Sequence, residues 1–166
     1  PGEVGLNTKL DYVKLSSVSE VAVSEGDDIV YKKYDISQLV GQQLVGLTSG
    51  VTATILTTKL ATESSADTLF VSYINSGNSN TESTFRQGET LEVVDGVNTP
   101  LLVVGTDGSV LPTSIQITDP DTGEVTSLES SAMGFGSAVK VEEGIYFVNG
   151  YFVRNSEQLL VIDEYY

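Results

Sequence analysis

Short runs rich in apolar and β-branched residues recur along the chain, and clusters of Gly, Asn, Asp and Ser separate them. Runs of this length between turn residues are typical of β-strands. The pattern predicts strands at 10–15, 19–23, 29–34, 43–47, 51–57, 68–74, 90–94 and 114–118, then four more at 138–141, 145–148, 151–154 and 159–162. We therefore predict an all-β fold of antiparallel sheets, sandwich-like or barrel-like, with a C-terminal four-stranded meander.

Helix signals are scarce, and the best candidate is the single turn 35–40 before Gly41. The 166 residues suffice for one β-rich module, 1–166, with or without an insertion. Segment 34–97 has strands of its own, so we expect a small inserted β-barrel there. Segment 75–89 is rich in Asn, Ser, Thr and Gly, which is typical of a long mobile loop. The chain begins with Pro, which favours a piece of a longer protein.

The clearest local signal is Asn149-Gly150 between two apolar runs, because Asn-Gly favours the two-residue type I′ turn of a β-hairpin. A two-residue turn fixes the register, so the expected pairs are 148 with 151, 147 with 152, 146 with 153 and 145 with 154. Alternation then places Ile145, Phe147 and Phe152 on one face, and Tyr146, Val148, Tyr151 and Val153 on the other. Both faces are apolar, so we expect either that the hairpin lies inside a sandwich or that one of its faces is a subunit interface.

Composition excludes several classes of function. The chain has no Cys and no His, which removes disulfides, thiol nucleophiles, most transition-metal sites and the commonest general base. Its formal net charge is −15, from 8 basic and 23 acidic residues. Such a chain repels phosphate, so we expect binding neither to nucleic acid nor to an anionic membrane surface. No apolar run approaches the ~18 residues of a membrane-spanning helix.

Three short motifs invite functional interpretations that their spacing does not support. The stretch "DPDTGE" (119–124) loosely resembles a Ca²⁺ loop, but it lacks the alternating ligands and the final Glu, so we expect an ordinary turn. "GFGSAV" (134–139) has Val139 where a phosphate loop needs its third Gly, and we expect a flexible lead-in to the meander. Ser137 and Lys140 match S-x-x-K, but on a strand residues three apart point to opposite faces. We expect no cofactor and no metal.

Two further alternatives remain open at this point. A glycosidase needs two carboxyl groups at a defined separation, and among 23 acids no pair is singled out by the sequence. Tyr side chains on strands are suited to line a sugar-binding groove, although core or interface packing is the commoner role. We expect no enzymatic activity.

Segments spread over most of the chain resemble a family of tailed-bacteriophage virion proteins, associated with tail fibres or baseplates, whose shared domain has no assigned function. The matching segments are "PGEVGLNTKLDYVKLSS" (1–17), "LVGLTSGVTATI" (44–55), "DTLFVSYINSG" (67–77), "FRQGETL" (85–91) and "MGFGSAVKVEEGIYFVNGYFVRNSEQLLVIDEYY" (133–166). The last is similar to a family pattern in which Gly-x-Gly-Ser-Ala leads to "EEG", an aromatic hairpin, and then Gln158, Leu160, Asp163 and Tyr165. The family pattern carries no catalytic residues.

This resemblance implies a structural component of a phage virion, in a tail fibre or at the baseplate periphery. It implies a homo-oligomer, a trimer, that also contacts other tail or baseplate proteins. It also implies that one face of the hairpin packs on the chain's own core and the other on a partner chain. The expected subunit interface is Tyr146, Val148, Tyr151 and Val153, because Tyr tolerates a half-wet boundary. The alternative is a receptor-binding module that recognises host-surface glycans through the 75–89 loop.

Overall fold

A computed structural model describes residues 4–63, 65–110, 115–123, 125–128 and 131–162, with backbone only at 4–9, 115–118, 125–128 and 162. The strands are β1 (Val4–Val18), β2 (Glu20–Glu25), β3 (Asp28–Lys33), β4 (Gln43–Gly46), β5 (Thr52–Lys59), β6 (Thr68–Asn75), β7 (Thr90–Val93), β8 (Leu102–Val104), β9 (Ile115–Thr118), β10 (Val125–Leu128), β11 (Met133–Val141), β12 (Gly144–Val148), β13 (Tyr151–Asn155) and β14 (Gln158–Ile162). Together with one 3₁₀ turn, Ile36–Leu39, these elements confirm the all-β fold.

The chain divides into two compact units. Residues 12–134 form the first, which we call the barrel unit, and residues 1–11 with 135–166 form the second, the terminal unit. The barrel unit also contains two separate antiparallel hairpins, β2–β3 and β9–β10.

Six strands of the barrel unit close into a barrel in the order β1-β6-β5-β4-β7-β8. Closure comes from β8, which pairs with β7 on one side and with β1 on the other. The pair Val18↔Leu102 joins strands that are far apart in sequence. Segment 34–97, which we expected to form the whole small barrel, supplies β4 to β7, and β1 and β8 lie outside it.

Alternating side chains fill the barrel interior. Ala53 and Ile55 on β5 are buried, as are Leu91 and Val93 on β7, whereas the residues between them are less covered. This is the period-two pattern of a strand with one face inside. The remaining buried core residues are Val13, Leu15, Ile36, Leu39, Leu44, Val51, Leu69, Val71, Phe85, Leu102 and Val104.

The predicted single helical turn is present as the 3₁₀ turn Ile36–Leu39. The Asp35 side chain caps it by accepting a hydrogen bond from the Ser37 N–H at 2.9 Å. Because Ile36 and Leu39 are both buried, this turn adds apolar side chains to the barrel core.

In the terminal unit, β11 pairs with β14, from Ser137↔Ile162 to Val141↔Gln158. The inner pair β12–β13 runs from Gly144↔Asn155 to Val148↔Tyr151. The two ladders share one register, with two residues on each side between them. The predicted C-terminal four-stranded meander is therefore confirmed, and its strands run as the two arms of one long hairpin. Residues 144–153 form the end of this hairpin, which we call the aromatic tip.

Candidate interaction surface

The turn of the aromatic tip has the geometry that its sequence favours. Asn149 and Gly150 have φ values of 49° and 87°. Positive φ at both turn positions is the signature of a type I′ turn, whose twist matches that of the flanking strands. All four cross-strand pairs are those expected from the sequence, including Phe147↔Phe152 and Tyr146↔Val153.

One side of the tip, which we call the Phe face, consists of Ile145, Phe147 and Phe152. The two Phe rings lie 5.2 Å apart between centroids, at an interplanar angle of 57°. Phe147 is 67% exposed and Phe152 is 78% exposed. The expectation that one face packs on the chain's own core is therefore wrong for this face. The reason is that β12 and β13 form a sheet of their own, and the rest of the described chain leaves the side chains on this face largely uncovered.

The opposite side, the Tyr face, consists of the four residues expected at an interface: Tyr146, Val148, Tyr151 and Val153. Tyr151 is 75% exposed, and both valines are about half exposed. Tyr146 is partly buried, and its hydroxyl donates a hydrogen bond to the Glu142 carbonyl at 3.0 Å. The structure thus brings the four predicted residues together on one uncovered surface.

Charge changes abruptly along this hairpin. Residues 144–153 include no charged side chain, although the chain as a whole carries 31. Ion pairs lie immediately below the tip, where Arg154 contacts Glu143 at 2.8 Å and Lys140 contacts Glu157 at 3.3 Å. The tip is therefore an uncharged apolar surface at the end of an otherwise charged ribbon.

The loop between β6 and β7 contains a buried carboxylate that the sequence analysis missed. Glu89 is 5% exposed, and its Oε2 accepts hydrogen bonds from the backbone N–H groups of Thr48 at 3.1 Å and Ser49 at 3.0 Å. Its Oε1 accepts from the Ser49 hydroxyl at 2.9 Å and the Arg86 N–H at 2.6 Å. Four donors satisfy the charge without a basic side chain, so Glu89 is a structural clamp on the β4–β5 turn.

The same loop is anchored to the core more firmly than its polar composition suggests. Phe85 is buried, and its ring meets the edge of Tyr73 at a centroid distance of 5.2 Å. Gly77 is buried against the β4–β5 turn, where an added Cβ would lie 2.1 Å from the Ser49 carbonyl oxygen. The stretch 78–84 between these anchors is largely exposed.

Residues 119–123 of "DPDTGE" form an ordinary turn, as the sequence predicted, and Glu124 lies outside the described residues. Asp119 Oδ1 accepts hydrogen bonds from the N–H groups of Asp121 at 2.8 Å and Thr122 at 3.2 Å, and Gly123 has a φ of 71°. These backbone donors, that of Asp121 first, hold the pKa of Asp119 below its usual value. By accepting these two hydrogen bonds, the Asp119 carboxylate stabilises the turn, which is a local structural role.

The stretch "GFGSAV" lies within β11, so the expected flexible lead-in is in fact part of a strand. The reason is pairing: Ser137 and Ala138 are partners of Ile162 and Val161 on β14. Lys140 on the same strand forms ion pairs with acidic side chains. Neither a phosphate loop nor an S-x-x-K helix is formed.

Among the described residues, the Tyr side chains do not converge on one groove. Tyr34 and Tyr73 pack against the barrel core, whereas Tyr31 and Tyr151 are exposed on two different hairpins.

Within the described ranges, no group of three or more acidic side chains is placed to hold a metal ion. Within the part of the chain that the structure describes, we find no candidate membrane-spanning helix.

The aromatic tip, an exposed and uncharged apolar surface, is therefore our candidate interaction surface. Comparison of the chain with protein-family models, with curated proteins and with solved structures gives no match.

Proposed function

We propose that this chain is a structural assembly module of a tailed-phage virion, located in a tail fibre or at the baseplate periphery. The observation that carries the proposal is the aromatic tip, an uncharged hairpin end that is apolar on both faces and uncovered on both. Large apolar surfaces left open by a single chain mark contacts with other chains. The resemblance of three segments, at 1–17, within 44–91 and at 133–166, to phage virion proteins suggests the biological setting.

The partners in this proposal are further copies of the chain, in a homotrimer, and neighbouring tail or baseplate proteins. The Tyr face, with Tyr146, Val148, Tyr151 and Val153, is a contact surface in that assembly. The acidic remainder of the chain keeps copies soluble and limits nonspecific association.

The test is the protein composition of purified virions from the phage that encodes this chain. We expect peptides of residues 12–134 and 135–166 in mass spectra of infectious particles, at a constant ratio to a major tail protein. Antibodies against the barrel unit should label the tail in electron micrographs. If the protein is abundant in infected cells but missing from infectious particles, the proposal is wrong.

A receptor-binding role is the second candidate, and the β6–β7 loop is the observation that favours it. Exposed polar side chains, among them Asn78, Ser79 and Thr81, project from a base held by Gly77 and Phe85. Such a fixed base with a polar exposed segment is suited to hydrogen-bond a glycan. Retention of the chain on host-surface polysaccharide, lost when 78–81 is replaced by alanines, would support this role, and equal retention of the two proteins would exclude it.

A further inference from the structure

The aromatic tip has two different apolar faces, and a symmetric pair of chains can cover only one of them. In an isologous dimer the same face of each chain meets, so Phe face on Phe face leaves both Tyr faces open. A heterologous contact, Phe face of one chain on Tyr face of the next, uses both faces of every chain. Such contacts close into a ring when the rotation between copies allows it.

The exposed areas favour the use of both faces. With about 200 Å² for each aromatic side chain, Phe147 and Phe152 leave roughly 300 Å² open and Tyr151 leaves roughly 150 Å². A standard interface buries about 800 Å² on each partner. The aromatic residues of one face supply less than half of that area. In a heterologous ring the two faces of a copy are buried in two separate contacts. Each contact stays below the standard size, but every copy then buries both faces, including the half-exposed Ile145, Val148 and Val153, which is more area than a contact through one face allows.

The charges favour a second copy of this chain as the occupant. A chain of net charge −15 would attract a basic partner through its acidic surface, but the tip offers no charge for such recognition. Another copy carries the same uncharged tip, so the two surfaces meet without burying an unpaired charge. The acidic bodies of the two copies then repel one another only at longer range.

We propose that copies of this chain associate through the aromatic tip, with the Phe face of one copy packed on the Tyr face of the next, in a closed ring of at least three. This assignment rests on the proposed assembly function and specifies its partner and its contact. It has one further consequence. Since repulsion between acidic bodies opposes the contact, salt that shortens the Debye length from about 10 Å at 0.1 M to about 3 Å at 1 M strengthens association.

The test uses one double variant for each face, in this chain. Phe147→Thr with Phe152→Thr removes the Phe face, and Val148→Thr with Tyr151→Thr removes the Tyr face. Thr keeps a high strand propensity, so the hairpin is retained. Val97→Thr is the matched control, because Val97 is 90% exposed but lies in the barrel unit. Circular dichroism and the thermal midpoint verify that every variant is folded.

Light scattering then gives the mass of each protein and of a 1:1 mixture of the two double variants. We expect the unmodified chain and the control to form a ring of at least three copies, and each double variant to be a monomer. The mixture should form a heterodimer, because one variant retains the Tyr face and the other the Phe face. Association of the unmodified chain should be tighter at the higher salt concentration.

Three results would overturn the inference. An unmodified chain that stays monomeric at every concentration would mean that a different protein covers the tip. A double variant that still dimerises alone would show an isologous contact. A mixture that stays monomeric would show that the two faces do not meet. Since virion composition is measured separately, failure of this inference is distinguishable from failure of the proposed function.

Discussion

Glu89 and Gly46 lie so close together that a Cβ added at Gly46 would be 2.6 Å from both carboxylate oxygens of Glu89. Gly46 ends β4, and Glu89 immediately precedes β7, the strand paired with β4. Because Gly46 has no side chain, there is room for the Glu89 carboxylate, which accepts hydrogen bonds from the backbone N–H groups of Thr48 and Ser49. Gly46 and the buried Glu89 carboxylate therefore act together to hold the β4–β5 turn.

Replacing Glu89 by Gln should lower the free energy of unfolding by about 1–3 kcal/mol. Backbone N–H groups approach both carboxylate oxygens, so an amide NH₂ in either orientation faces at least one donor. Urea denaturation measures the loss. Glu92→Gln is the control, because Glu92 is exposed on the adjacent strand β7, and it should change stability by less than about 0.5 kcal/mol. Equal stability of the two variants would argue against the clamp.

Gly46→Ala should also destabilise, by about 1–3 kcal/mol, because the new methyl group overlaps the carboxylate and the Ser49 hydroxyl. The cost should fall when Glu89 is already Ala, since two of the three atoms that crowd the new methyl group are then absent. A double-mutant cycle measures this coupling. If the two losses of stability simply add, the new methyl group does not clash with Glu89, and the prediction is wrong.

Phe85→Ala should cost about 3–5 kcal/mol, because Phe85 is a buried core residue in contact with Tyr73. Phe135→Ala is the matched control, since Phe135 is 70% exposed, and it should stay within about 0.5 kcal/mol of the unmodified chain. Chemical denaturation of both variants decides the point. A similar small effect at both positions would mean that the β6–β7 loop is not anchored in the core.

Stability should fall in acid partly because of Asp107. Its Oδ1 accepts the Ala132 N–H at 2.8 Å, and this bond first, then the Gln87 side chain, holds the pKa of Asp107 below 3.8. A carboxyl group with a lowered folded-state pKa stabilises the fold above its unfolded pKa. That contribution is lost as the pH falls below 3.8 through the folded-state value.

The matched variant for this effect is Asp107→Asn, whose amide oxygen still accepts the hydrogen bond but does not titrate. Thermal midpoints of the two proteins should converge as the pH falls from neutral to below 3.8. Comparing them cancels the other carboxyl groups, including Asp11, whose pKa is raised by burial. Parallel pH profiles would show that Asp107 contributes nothing to acid sensitivity.

Local signals in the sequence were sufficient where the structure depends on neighbouring residues. The Asn149-Gly150 turn and its register follow from the φ values that these two residues tolerate. The cap of Asp35 on the turn Ile36–Leu39 is likewise local. Short runs rich in apolar and β-branched residues identified the long strands β5 and β6 for the same reason.

Contacts between distant residues could not be predicted in this way. The strand Leu102–Val104 is only three residues long, and it closes the barrel because β1 and β7 are already in place on either side. Phe85 and Glu89 lie in a polar segment that is typical of an open loop, and only the tertiary structure buries them. The polar composition of this segment favours exposure to solvent. The burial of one aromatic ring and four hydrogen bonds to a carboxylate stabilise the packed arrangement instead.

The candidate surface shows the same division. The sequence by itself determined the fold class, the hairpin, its register and the two apolar faces, because strand alternation and turn geometry depend on near neighbours. The tertiary structure alone decided that both faces remain uncovered, since exposure depends on which other elements of the chain pack against a surface. The barrel unit completes its own core with β1, β8 and Phe85, and the aromatic tip keeps its apolar side chains available for another chain.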